Sequence, residues 1–219
     1  MRSPWLVAFL AASAIHLVLV ATDAGIADSV TKALLMPLLA AWVVSVRGPR
    51  LLVAALLLSW VGDVALEIDG AFLVGMAGFA AAHVCYITWF VRAGALDVLR
   101  RRWWIAAGGL VVWAGVLAAL WAPLGEHEPA LRIPIALYAL LLTATAVTAL
   151  AYSPLAGVGG VLFLLSDTLI ALDLAHVGPS ETGLAVMITY LAAQLLLATG
   201  ITRANVQHPA GLGAEQMAR

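Results

Sequence analysis

LLLSWVGDVALEIDGAFLVGMAGFAAAHVCYITWF, residues 56–90, is apolar enough to lie in a membrane, yet it carries Asp63, Glu67, Asp69 and His83. An ionised side chain near a bilayer centre costs about 2.5–3.5 kcal/mol on insertion scales. Three carboxylates and a histidine facing lipid would be a heavy load. They are therefore expected to face a bundle interior or a wet cavity, and an intramembrane ionisable residue is read first as functional.

The rest of the chain agrees with a membrane setting. Of 219 residues, 64% are hydrophobic and 11% charged, and the mean hydropathy is +1.05. A soluble domain carries roughly a quarter charged residues, and a disordered chain would be poor in apolar ones. The net charge of -1 and the lack of a basic arm give no reason to expect nucleic acid. Cys85 is the one cysteine, so no intrachain disulfide and no cysteine metal cluster is expected.

A helix needs about 20 apolar residues to cross the hydrocarbon. Eight segments qualify: 5–21, 30–46, 51–67, 72–91, 103–121, 131–151, 157–175 and 182–202. Turn-forming stretches separate them, among them RGPR at 47–50, EIDGA at 67–71, LGEHEP at 124–129, YSPLAG at 152–157 and HVGPS at 176–180. The first segment is long for a signal-peptide core and reads as a span. The expected fold is all-α, one eight-helix transmembrane domain over residues 1–206, with a polar, disordered tail at 207–219.

Arginine placement orients it. With both ends in the cytoplasm, Arg2, Arg47, Arg50, Arg92, Arg100, Arg101, Arg102, Arg203 and Arg219 lie inside, and only Lys32 and Arg132 face out. The positive-inside rule therefore selects N-in, C-in. Trp5, Trp42, Trp89, Trp103 and Trp104 mark the inner interface and Trp121 the outer one. The compact chain, rich in Ala and Leu, gives the expectation of a multi-pass protein of a bacterial inner (cell) membrane.

On this topology the polar groups gather in the outer half. Ser59, Asp63 and Glu67, spaced i, i+4, i+8, share one face of the third span. His83 sits mid-depth in the fourth, in the stripe Met76, Phe79, His83, Tyr86, Phe90. Asp167 is mid-depth in the seventh, and Asp173 is near its outer end. Lys32 begins the second span, Tyr138 lies in the sixth, and Tyr190 and Gln194 share a face of the eighth.

Blander readings stand beside these. Glu67, Asp69 and Asp173 read as interfacial. Lys32 is either snorkelling or part of a site, and His83 either bonds a neighbouring carbonyl or serves the site. Ser59 and Ser166 either back-bond to their own helices or join the polar set. His16, His127, His176 and His208 are scattered and read as bland. Gly62, Gly75 and Gly78 read as permitting close helix packing. No two histidines stand at i, i+3 or i, i+4 inside a span, so neither a metal nor another cofactor is expected. A short echo at an offset of 104 residues pairs Asp63 with Asp167, Asp69 with Asp173 and Tyr86 with Tyr190. It would suit a parallel four-plus-four repeat, which brings equivalent aspartates to one interface.

TKALLMPLLA (31–40), LSWVGDVAL (58–66), FLVGMAGFAAAHVCYI (72–87), GGVLFLLSDTLIAL (159–172) and TYLAAQLLLATG (189–200) together resemble, in order, the motifs of the YhhN-type, lysoplasmalogenase-like membrane proteins. One departure is Lys32-Ala33, where the family often has Lys-Pro. The resemblance implies eight helices and an enzyme that cleaves the vinyl ether bond of a lysophospholipid-type substrate, lysoplasmalogen. The products would be a fatty aldehyde and glycerophosphocholine or glycerophosphoethanolamine.

The residues suit that chemistry. A vinyl ether is opened by protonating its β-carbon, which leaves an oxocarbenium ion for water to trap. The step needs a proton donor, a nearby negative charge and a positioned water. Two carboxylates in different surroundings supply these, by the logic of glycosidase pairs. Asp63 and Asp167 are the catalytic candidates, and which is the acid stays open. Lys32 is assigned to the substrate phosphate or to a neighbouring carboxylate. His83, Tyr86, Tyr138, Tyr190 and Gln194, with Ser59 and Ser166, are the candidates for binding substrate. The competing reading is a small proton- or cation-coupled transporter that uses the same aspartates.

Overall fold

A computed structural model describes residues 3–178 and 182–207; of the tail expected at 207–219, Gln207 is helical and residues 208–219 lie outside the described residues. Among the described residues there is no strand. The helices are α1 (Pro4–Ala21), α2 (Ile26–Ser45), α3 (Arg50–Leu66), α4 (Phe72–Arg92), α5 (Ala95–Arg101), α6 (Trp103–His127), α7 (Arg132–Tyr152), α8 (Pro154–Leu174) and α9 (Gly183–Gln207). Seven of them are long and apolar enough to cross a membrane. The eighth long helix, α3, has 17 residues. It is confined between Pro49 and the turn at Gly70, whose φ is 78°.

Local chemistry moves several boundaries away from the sequence reading. α8 starts at Pro154 rather than 157, because Ser153 caps it and its Oγ accepts from the Ala156 amide at 3.2 Å. The stretch expected to turn at 124–129 is still helical to His127. Pro123 lacks the N–H that the Ala119 carbonyl would accept. The helix nevertheless runs past it, and Leu124 is fully buried in a cluster with Leu120, Ile135, Ala171 and Ala175. The connection after the fourth span contains a short helix that the apolar pattern does not signal, α5, entered through Gly94 at φ 90°.

The main core draws on α1 to α5 and α7 to α9. α1 and α6 are peripheral, with large apolar residues such as Val18, Val111 and Val112 exposed. The bundle is thus oily outside as well as inside, which is how a helix assembly meets lipid. Close contacts depend on small residues. A Cβ at Gly78 would come within 2.9 Å of the Gly62 amide and 3.1 Å of the Leu58 carbonyl on α3, and one at Gly159 within 2.8 Å of the Leu197 amide on α9. Gly78→Val is therefore expected to force α3 and α4 apart. Overpacking of this kind removes about 1–3 kcal/mol. The thermal midpoint in detergent reads it, and an unchanged midpoint would mean that the two backbones are not held in contact.

Candidate active site

One cavity lies where α2, α3, α4, α6, α7, α8 and α9 meet, with about 810 Å³ of unfilled space including its mouth. Lys32, Asp63, Tyr138, Ser166, Asp167 and Tyr190 line it. Its other walls are apolar, including Phe79, Leu120, Ile135, Leu142 and Met187. Leu66 ends α3, Phe72 begins α4 and Leu174 ends α8, so the cavity lies toward the end of the bundle that carries Lys32. The α6 wall, Val116 and Leu120, has no counterpart in the sequence reading, which draws on the other helices.

Each aspartate is held by a tyrosine from a different helix. Tyr190 Oη donates to Asp63 Oδ2 at 2.7 Å, and Asp63 is 3% exposed. Tyr138 Oη donates to Asp167 Oδ2. The two carboxylates thus come from α3 and α8 and their donors from α9 and α7. Asp167 sits mid-helix and Asp63 in the last turn of α3, where the backbone amides are already engaged within the helix, so tertiary donors serve their oxygens.

A polar ladder stands behind Asp63, outside the cavity lining. Tyr86 Oη donates to Gln194 Oε1 at 2.6 Å. Gln194 Nε2 donates to Ser59 Oγ at 3.0 Å and to Tyr190 Oη at 3.3 Å. Tyr86, Gln194 and Ser59 are all buried. Three helices, α3, α4 and α9, are pinned by these bonds, and their last member touches Asp63. Ser59 therefore receives an interhelical bond, and Ser166 Oγ donates to the Val186 carbonyl on α9 at 3.1 Å. These partners lie on another helix, beyond the back-bonding alternative.

His83 also stands outside the lining. Its Nδ1 lies 3.0 Å from Thr145 Oγ1, whose own proton goes to the Leu141 carbonyl. Nδ1 therefore carries the hydrogen, and Nε2 is buried without a partner among the described residues. The ring packs edge-on against Phe163, at 4.6 Å between centroids, and against Tyr138 at 5.8 Å. His83 touches the site through the Tyr138 ring.

Lys32 is not free. Its Nζ lies 2.7 Å from Glu67 Oε1, and Ser29 Oγ donates to Glu67 Oε2 at 2.5 Å. Glu67, read from sequence as interfacial, is the partner of a cavity-lining cation. Pro37 explains how α2 is held there. It lacks the N–H that would bond the Ala33 carbonyl, and Trp60 Nε1 of α3 donates to that carbonyl at 2.8 Å. His16, read as bland, is fully buried and bonds Thr31 Oγ1 at 2.9 Å, one residue from Lys32. The helical spacing of Phe9, Ser13 and His16 is the signal for that buried face. No group of three His, Cys, Asp or Glu side chains gathers among the described residues.

The YhhN family profile matches residues 27–201. The chain is 36% identical over 171 residues to the human lysoplasmalogenase TMEM86B, covering 75% of this chain and 70% of that one. It is 35% identical over 167 residues to a Mycobacterium bovis lysoplasmalogenase, covering 70% and 61%, and 34% identical to rat lysoplasmalogenase TMEM86B, covering 74% and 66%. The match thus spans about two thirds of these relatives' lengths. No solved structure matches the chain. The order of motifs, the all-helical membrane bundle and these relatives agree: the chain belongs to the YhhN family and is a lysoplasmalogenase-like membrane enzyme.

Proposed function

We propose that this cavity hydrolyses the vinyl ether bond of a lysoplasmalogen, using Asp63 and Asp167 as the general acid–base pair. The observation that carries the reading is that both carboxylates line one oily cavity and each is held by its own tyrosine. One carboxyl gives its proton to the β-carbon of the double bond. The other, as carboxylate, faces the cation and draws a proton from the water that adds to the α-carbon. The hemiacetal then breaks its C–O bond to the glycerol. The products are a fatty aldehyde and glycerophosphocholine or glycerophosphoethanolamine, with one water consumed.

Tyr138 and Tyr190 orient the two acids, and Lys32 with Glu67 sets the charge at the polar end. Ser166 forms part of the wall. Ser59, Tyr86 and Gln194 act through Tyr190, and His83 through Tyr138, as positioning residues. The apolar wall takes the hydrocarbon chain. The purified protein in detergent is expected to release fatty aldehyde from a lysoplasmalogen and none from an ester-linked lysophospholipid. Consumption of the ester-linked lipid alone, with release of fatty acid and no aldehyde, would replace this reading with esterase chemistry.

The same reading places residues 1–206 in one eight-span domain of a bacterial inner membrane, with both ends inside. The substrate is then drawn from the outer leaflet. After Cys85→Ser, an impermeant thiol reagent applied from outside is expected to label Asp69→Cys and to spare Ala93→Cys. The reverse pattern inverts the orientation and the leaflet.

The long helices also follow the 104-residue offset. Adding it carries α1 to α4 onto α6 to α9, with α5 as the link. That succession supports a four-plus-four repeat.

A further inference from the structure

We propose that Arg132 is the phosphate anchor for the lysophospholipid headgroup, an inference that rests on the reading above and deepens it. Arg132 opens α7 one turn before Ile135, on the face that continues through Ile135, Ala139 and Leu142 along the cavity wall. Its guanidinium carbon stands 4.7 Å from the centre of the Trp121 ring. The same guanidinium fills the place that a side chain at Gly125 would take. Nε is buried and has no hydrogen-bond partner among the described residues. Aromatic face, missing Cβ and helix start thus hold one charged group in one place.

Among the described residues that group has no counter-charge. The other described cation at this end, Lys32, is paired with Glu67 at 2.7 Å. Glu126, Glu128 and Asp173 stand at the same end, yet none of them pairs with Arg132 among the described residues. The remaining described arginines, Arg47, Arg50, Arg92, Arg100, Arg101, Arg102 and Arg203, belong to the other ends of the helices. A half-buried cation is ordinarily paired. The planar guanidinium fork matches phosphate oxygens two at a time, and the start of α7 adds the positive end of a helix dipole.

The height fits. Arg132 precedes Tyr138 by six residues, a helix rise of about 9 Å. A single-chain phospholipid with its first linkage beside the Tyr138–Asp167 pair carries its phosphate one glycerol length higher, within reach of the guanidinium. Lys32, neutralised by Glu67, then borders the site without being its main anion receptor.

The test measures binding rather than turnover. Protein in a maltoside detergent, free of phosphate, is titrated with an ester-linked lysophosphatidylethanolamine, with a monoacylglycerol and with inorganic phosphate, and thermal stabilisation is followed. Arg132→Gln is expected to weaken the lysophospholipid about ten- to a hundredfold and to leave the monoacylglycerol unchanged. Gly125→Ala keeps the charge but displaces the guanidinium, and is expected to weaken the lysophospholipid in the same direction. It decides the matter if Arg132→Gln does not fold. Unchanged lysophospholipid binding in the folded variants overturns the inference. So does an equal loss of monoacylglycerol, which would mark a structural role. Stabilisation of the unmutated protein by inorganic phosphate as strong as by the lipid would assign a free-anion site instead. If the binding pattern holds but the unmutated protein releases no aldehyde, the headgroup site stands and the hydrolytic reading falls.

Discussion

Asp63→Asn and Asp167→Asn are each expected to lower aldehyde release by about 10²–10⁴-fold, the usual contribution of a positioned acid or base. Asparagine is nearly isosteric, and its carbonyl still accepts the tyrosine proton, so Tyr190 and Tyr138 keep their partners. What disappears is the ability to give or take a proton. The variants should therefore insert and elute as single species while turnover collapses. Either variant at full activity would remove that residue from the chemistry. Glu67→Gln offers the contrast. It touches Lys32 and Ser29 at the polar end, so its effect on turnover should be far smaller.

The largest loss of stability is expected from Gln194→Leu. Gln194 is 0% exposed and makes three hydrogen bonds, to Tyr86, Ser59 and Tyr190. Leucine fills a similar volume but leaves the buried Tyr86 hydroxyl without the acceptor it has in Gln194. Each orphaned buried group costs about 1–3 kcal/mol. Adding Tyr86→Phe removes the orphan and should restore part of the loss. The coupling in that double-mutant cycle is expected at about 0.5–3 kcal/mol. Strict additivity of the two losses would show that the two side chains do not act as a unit. Turnover should fall as well, because Tyr190 loses the neighbour that sets its direction.

What the sequence reveals is what a single helix can encode. The apolar runs give the long helices, and the insertion cost of Asp63 and Asp167 marks them before any contact is known. The i, i+4 spacing of Tyr190 and Gln194 puts them on one face. Partner identity is different, because it belongs to pairs of helices. Nothing along α4 tells that His83 meets Thr145 of α7, or along α3 that Trp60 meets the carbonyl freed by Pro37. Arg132 looks like an ordinary loop charge until Trp121 and Gly125 are brought around it. Pro123 fails as a stop signal because the burial of Leu124 outweighs one missing hydrogen bond.

The ladder behind Asp63 has a consequence for stereochemistry. Each tyrosine hydroxyl has a single hydrogen, and that of Tyr190 is directed at Asp63 Oδ2 while its oxygen receives Gln194. Tyr138 does the same to Asp167 Oδ2. With Oδ2 engaged as an acceptor on both acids, the oxygen left to carry a transferable proton is Oδ1 in either case. A donor fixed to one oxygen of one rigid side chain addresses one face of a bound double bond. In deuterated water, the aldehyde formed by the proposed reaction should therefore carry its new deuterium at C2 in a single configuration. A racemic label would mean that the proton comes from solvent rather than from an oriented acid.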